Sequence, residues 1–208
     1  MKSYLHYSPF WLKALFPKYH WRIETKEKVL YLTFDDGPIP EVTEFVLDTL
    51  NSYQALATFF CIGDNVNRHP HIYKKLLNSF HRIGNHTYNH LNGWKSDPET
   101  YIENFHQCNE TLQIKTNLFR PPHGRLTRQQ ANQLPTDTKV IMWDVLSGDF
   151  DNNLGNEKCL RKSIEHTKRG SIVVFHDSLK AKENLYYTLP RYLDHFSSLG
   201  YRFETLPY

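Results

Sequence analysis

Two neighbouring aspartates close an apolar run, Val29-Leu30-Tyr31-Leu32-Thr33-Phe34-Asp35-Asp36, and Gly37-Pro38 stops it. Such a succession of β-branched, aromatic and aliphatic residues predicts a buried strand ending at the Gly-Pro turn. Two carboxylates at the mouth of that strand repel each other and lose hydration, which is costly unless a cation or a proton intervenes. Matching ligands follow in Ile83-Gly84-Asn85-His86-Thr87-Tyr88-Asn89-His90. His86 and His90 are four positions apart, and a helical turn would bring both imidazoles to one face. One carboxylate with two imidazoles makes a three-ligand site with open positions, the layout of a catalytic zinc. A non-haem iron takes a similar set. Alone, the two histidines would read as satisfied polar residues at a helix start. The upstream acid pair turns the reading toward a metal.

The elements that must position these groups alternate between strand and helix, which predicts a parallel α/β architecture. After the Asp35-Asp36 strand, Pro40 opens a helix carrying Val42, Phe45, Val46 and Leu50 at helical spacing. Ala57 to Cys61 is the next strand, and Pro70 opens a helix with Ile72, Leu76 and Leu77. Ser96-Asp97-Pro98-Glu99 reads as a capping box before a helix that presents Tyr101, Phe105, Cys108 and Leu112. Leu118-Phe119, Val140 to Trp143 and Ser171 to Phe175 supply later strands. Glu157 to Lys168 and Leu185 to Phe196 read as helices, the second kinked or split at Pro190, and Tyr201-Arg202-Phe203 as a last strand. Asp35, Asp36, Arg120, Asp149 and His176 all fall at or just after strand C-termini. In a parallel barrel those ends share one face, where active sites sit.

Thr33 to Pro38 and Gly84 to His90 together resemble the first two motifs of the polysaccharide deacetylases, carbohydrate esterase family 4 with its NodB-type homology domain. Phe119-Arg120-Pro121-Pro122-His123-Gly124, Trp143 to Phe150 and Val173-Val174-Phe175-His176-Asp177 resemble the later motifs in order. The resemblance implies a distorted, incomplete (β/α) barrel with a mostly parallel central sheet. It implies hydrolysis of N-acetyl groups on acetylated amino sugars, with Zn2+ or another divalent metal such as Co2+ as cofactor. It assigns Asp36, His86 and His90 to the metal, Asp35 to the general base and His176 to the general acid. Arg120 would pair with Asp35, and Asp149 would hydrogen-bond His176. His123, Phe150 and Val174 would touch substrate. All three depart from the family's usual aromatic, Trp and Leu, so they bear on which sugar is taken. An O-acetyl esterase or a non-catalytic carbohydrate-binding relative would use the same frame.

The chain has 208 residues, 39% of them hydrophobic, enough for one core. Residues 1–28 read as an N-terminal extension packing on the barrel, and residues 29–208 as the catalytic domain. The net charge of +3 comes from scattered residues and predicts no nucleic-acid partner. Cys61, Cys108 and Cys159 form no CxxC pair and read as reduced thiols, Cys61 and Cys108 as small buried residues. The start of the chain has no long apolar region with a small-residue cleavage site, and no stretch is long enough to span a membrane. This leans toward a cytoplasmic location or the inner face of a membrane, and the chain reads as a monomer. Phe10, Trp11, Leu12, Leu15 and Phe16, beside Lys13 and Lys18, form an aromatic patch. It reads as a helix capping the barrel, with a membrane interface as the alternative.

Overall fold

A computed structural model describes residues Tyr4–Tyr208. Among the described residues are eight strands: β1 Val29–Asp35, β2 Ala57–Cys61, β3 Arg82–Asn85, β4 Leu118–Phe119, β5 Lys139–Val140, β6 Val145–Leu146, β7 Ile172–His176 and β8 Arg202–Phe203. The helices are α1 Phe10–Leu15, α2 Val42–Ser52, α3 Gly63–Arg68, α4 Pro70–Leu77, α5 Pro98–Leu112, α6 Arg128–Gln133, α7 Asn156–His166 and α8 Lys182–Ser198. The sheet runs β5-β4-β3-β2-β1-β7-β6, with β8 on the lower part of β1. Every ladder is parallel, so seven strands curl into a half-barrel whose C-terminal ends open on one face.

The side-chain period of two sorts β1 into two faces. Leu30, Leu32 and Phe34 point outward into a core shared with Phe59, Val173, Phe175 and the apolar faces of α2 and α8. Val29 and Tyr31 point inward, joining Phe60, Leu118, Ile141, Ile172 and Leu206 in an apolar floor. Above that floor the same face carries Thr33 and then Asp35. The parallel register sets Thr33 beside Val174 and Asp35 beside His176. Each fully buried Leu or Phe stabilises the barrel by about 1.5–3 kcal/mol. That apolar burial offsets the cost of a polar upper layer.

Between β5 and β6 the barrel lacks a continuous ladder. The N-terminal segment crosses this gap through isolated bridges from Tyr7 to Val145, His20 to Ile141 and Arg22 to Ser171. Lys13 forms an ion pair with buried Asp144, which also accepts from Ser171 Oγ at 2.6 Å. Exposed strand edges invite unwanted pairing, and a covering segment removes that hazard.

Some local expectations are corrected. The strand expected over Val140 to Trp143 ends at Val140, with Ile141 in an isolated bridge, and the chain re-enters the sheet as β6. The cap of α5 is Asp97, whose side chain accepts from Thr100 N at 2.9 Å, rather than a box begun by Ser96. α8 continues unsplit through Pro190. Leu185 and Leu189 before the proline, and Leu193 and Phe196 after it, bury one face in the same core, which offsets the hydrogen bond that proline cannot make.

Candidate metal centre and flanking proton-transfer groups

Asp36 follows β1 in a turn with φ 84, an uncommon value for a residue with a Cβ. Three hydrogen bonds, with Asn65 and Asp177, pin that turn. Asn65 Nδ2 donates to Asp36 O at 2.7 Å, Asp177 Oδ1 accepts from Gly37 N at 3.0 Å, and Asp177 N donates to Asp35 O at 3.0 Å. A Cβ on Gly37 would lie 1.9 Å from Asp177 Oδ2, so only glycine admits this approach. Asp177 is fully buried and accepts from Thr43 Oγ1 at 2.6 Å. Burial drives its carboxyl up to about 8, while the hydrogen bond from Thr43 pulls it back.

His86 and His90 do not lie on a helical turn. They sit on an irregular loop after β3, in which Thr87 (φ 62) and His90 (φ 60) adopt left-handed backbone. Side-chain amides hold the loop: Asn85 Oδ1 accepts from Thr87 N at 2.7 Å, and Asn104 Oδ1 from Tyr88 N at 2.9 Å. The convergence survives the change of backbone. His90 Nε2 lies 3.3 Å and His86 Nε2 3.8 Å from Asp36 Oδ1. One ligand atom from each of the three residues falls within 4.8 Å of the others.

These residues fit a divalent cation. Asp36 Oδ1 is buried without a hydrogen-bond partner, and an unpaired buried carboxylate oxygen is costly. His86 Nδ1 lies 2.7 Å from Arg120 O, a carbonyl that only accepts. Nδ1 therefore carries the proton, and the Nε2 lone pair faces Asp36. Burial lowers His86 to about 4, keeping it neutral as a ligand must be. Burial alone would raise Asp36, but the positive charge of His176 leads the influences that outweigh it and hold the carboxyl below its usual value.

Asp35 and Arg120 form a buried pair beside this triad. Arg120 NH1 donates to Asp35 Oδ1 and to Thr33 Oγ1, both at 2.7 Å. Nε reaches Ile141 O at 3.2 Å and NH2 reaches Met142 O at 2.9 Å. The guanidinium carbon sits 4.3 Å from the Phe60 ring centroid. Held on several sides, Arg120 fixes one carboxylate oxygen of Asp35. The other, Oδ2, lies 4.0 Å from His86 Nε2.

On the neighbouring strand, His176 Nδ1 is 2.7 Å from Asp149 Oδ1, and His176 N donates to Asp149 Oδ2 at 2.8 Å. Burial would lower His176, but the charge and hydrogen bond of Asp149 prevail and raise it to about 9. Phe150 packs edge-on against the His176 ring at 5.1 Å and also meets Tyr4. Val174 is fully buried on the inner face, and exposed His123 (φ 59) sets its ring 4.6 Å from His90.

The structure thus brings Asp35, Asp36, His86, His90, Arg120, Asp149 and His176 to one mouth. Sequence reasoning missed the supports. Asp177 was visible only as the neighbour of His176. Asn65, Asn104 and Asn184, whose Nδ2 donates to Asp149 O at 3.0 Å, lie on helices with no pattern to mark them.

Comparison with known proteins agrees with this architecture. The polysaccharide deacetylase family model matches residues 22–137. A peptidoglycan-N-acetylglucosamine deacetylase from Bacillus cereus is 35% identical over 192 residues, covering 89% of this chain and 90% of the relative. A chitooligosaccharide deacetylase from Azorhizobium caulinodans is 32% identical over 172 residues, covering 78% and 80%. The crystal structure of a peptidoglycan N-acetylglucosamine deacetylase, bound to a naphthyl-substituted N-hydroxybenzamide, superposes with a TM-score of 0.85 at 28% identity and 91% coverage of both chains. The fold is an incomplete parallel α/β barrel with a triad able to hold a metal ion at its mouth, and the chain belongs to the polysaccharide deacetylase family.

Proposed function

We propose that this protein is a metal-dependent hydrolase that removes N-acetyl groups from N-acetylglucosamine-type units of a glycan. The observation that carries the reading is the pair of oppositely prepared proton-transfer groups flanking one metal triad, Asp35 with Arg120 and His176 with Asp149. Asp36, His86 and His90 would hold the metal, zinc by the chemistry of the donor set. Such a metal lowers the pKa of water toward neutrality and polarises an acetyl carbonyl.

The residues of the chain then divide the proton work. Asp35 is the base: its Oδ1 is tied to Arg120, which orients the carboxylate and leaves Oδ2 toward the triad. An amine is a poor leaving group until protonated, and His176, raised to about 9, carries that proton at neutral pH. Asp149 holds the ring in place. The backbone N–H of His123, on a turn stiffened by Pro121 and Pro122, serves as the oxyanion donor. Val174 closes the acetyl pocket, and Phe150 screens His176 from water.

The test is acetate release from N-acetylglucosamine oligomers and from acetyl esters, using chelator-treated protein with and without added zinc. Zinc-restored release from the amides supports the reading, and Asp35→Asn is expected to keep the metal and lose turnover. Release from esters alone would assign an O-acetyl esterase. Zinc binding with no release from either would assign a non-catalytic relative.

The partner of α1 is read as an anionic lipid surface. None of its residues is buried, and Phe10, Trp11 and Leu15 are 83%, 56% and 67% exposed. Residues 4–23 contain Lys13, Lys18 and Arg22 and no acid. Lys13 turns inward to Asp144 and Lys18 stays exposed. Aromatic and aliphatic residues beside cations suit the headgroup boundary. No helix among the described residues is long and apolar enough to cross a membrane. Co-sedimentation with anionic phospholipid vesicles is expected, and its loss in Phe10→Ser/Trp11→Ser; wild-type protein left in the supernatant would overturn this reading.

A further inference from the structure

Two loops leave the metal centre together. One runs from His90 to Trp94 and the other from His123 to Arg125, and the two histidine rings touch at 4.6 Å. The loops are joined at their backbones. A Cβ on Gly93 would lie 2.3 Å from Arg125 O, so this approach excludes any side chain there. Fully buried Gln130 donates from Nε2 to Gly93 O at 2.8 Å and to Ser96 O at 3.2 Å. Its Oε1 accepts from Thr127 N at 3.0 Å. Asn92 Oδ1 accepts from Trp94 N at 3.1 Å and closes the turn.

The product of this framework is a tryptophan left in water. Trp94 is 64% exposed, and the Arg125 guanidinium lies over its ring at 4.9 Å. A solvent-exposed indole on a loop held by a buried glutamine is costly to hydrate and costs little ordering on binding. With Arg125 stacked on the ring, the rest of the indole offers a flat apolar surface beside a fixed fork of N–H donors. A pyranose ring matches both features, with its axial C–H face for the indole and its hydroxyl and acetamido oxygens for the guanidinium.

We propose that Trp94 and Arg125 form a sugar-binding platform for the ring adjoining the one that loses its acetyl group. This rests on the deacetylase reading, because only a polymeric substrate has a neighbouring ring to place. A chain seated with one acetyl group at the Asp36 mouth extends over the welded loops that leave it. The platform makes the enzyme favour oligomers over single sugars, and neither residue takes part in the chemistry.

The experiment has two arms. In the first, the N-acetylglucosamine tetramer is titrated into chelator-treated full-length protein by calorimetry, comparing wild type, Trp94→Ala, Trp94→Phe and Arg125→Ala. A single aromatic contact predicts roughly a tenfold loss of affinity in Trp94→Ala and partial rescue in Trp94→Phe. In the second, zinc-loaded proteins act on the tetramer and on an aryl glycoside of N-acetylglucosamine. Trp94→Ala is expected to lose about tenfold in kcat/KM on the tetramer, through KM, and nothing on the glycoside. Equal tetramer affinity and kcat/KM in wild type and Trp94→Ala would overturn the platform while leaving deacetylation intact. Trp94-dependent binding without acetate release from wild type would uphold the platform as a sugar site and reject the deacetylase reading.

Discussion

Replacing Asp149 by asparagine tests the proton-donor reading most directly. Asp149 receives both the ring Nδ1 and the backbone N of His176, at 2.7 and 2.8 Å. An amide has one acceptor oxygen for those two donors and no charge. In the wild type Asp149 is the chief reason that His176 stands at about 9 rather than 6.5, because burial alone would lower it. With that charge gone, His176 falls toward its ordinary 6.5. At pH 8 the wild-type imidazole is then about 90% protonated and the variant about 3%, roughly a thirtyfold loss of the reactive form. A cation bound beside Asp36 cancels part of the pull that Asp36 and Asp35 exert on His176 and moves both profiles down together, so the separation between them belongs to Asp149. The sign follows for stability also. A folded pKa above the unfolded value stabilises the protein fully below about pH 6.5, and that contribution fades as the pH rises through about 9. The assay is kcat/KM for acetate release from an N-acetylglucosamine oligomer, measured from pH 5 to 10 on zinc-loaded protein. The basic limb is expected to move down by about two pH units, with a smaller rate loss on an acetyl ester, whose leaving group needs the proton less. An unmoved basic limb in Asp149→Asn would refute the assignment of His176 as the acid.

Three further outcomes are expected. Asp36→Ala, His86→Ala and His90→Ala each lower metal content by elemental analysis, and full occupancy in all three would reject the triad. Arg120→Met leaves Asp35 buried without its partner, so urea unfolding is expected to show a loss of about 3–5 kcal/mol; a change below about 1 kcal/mol would mean that Asp35 does not depend on the pair. Gly37→Ala sets a Cβ against Asp177 Oδ2, and both thermal stability and metal retention are expected to fall. Wild-type values for both would show that the turn has slack.

What was legible in the chain follows the physical period of each element. β1 is readable because Leu30, Leu32 and Phe34 fill the outer core while Thr33 and Asp35 alternate with them on the inner face. The metal triad is readable because its residue types are chemically distinctive, whatever backbone carries them. The path between His86 and His90 is not readable as a helix or a loop from spacing alone. What selects the loop is Asn85 and Asn104, distant or polar residues that accept its N–H groups. β6 is two residues long and its position depends on the ladder to β7, so local propensity is silent there. The role of Asp177 depends on a turn 140 residues earlier. The Trp94–Arg125 pair is invisible for the same reason, since neither residue's neighbours in sequence announce the other.

The N-terminal segment that closes the gap between β5 and β6 has a consequence for how the chain is made. It precedes β1 in the chain, yet its seat lies more than a hundred residues further on. His6 contacts Leu146 across 140 residues, and Lys13 contacts Asp144 across 131. At ordinary rates of synthesis that seat appears on the order of ten seconds later. Throughout that interval Trp21, buried in the folded protein among Phe119, Val140 and Met142, has none of those partners beside it, and the half-built sheet has an uncovered edge. Docking of the N-terminal segment therefore waits for Ile141, Val145 and Ser171 to be made, so that the gap between β5 and β6 is closed by long-range contacts alone.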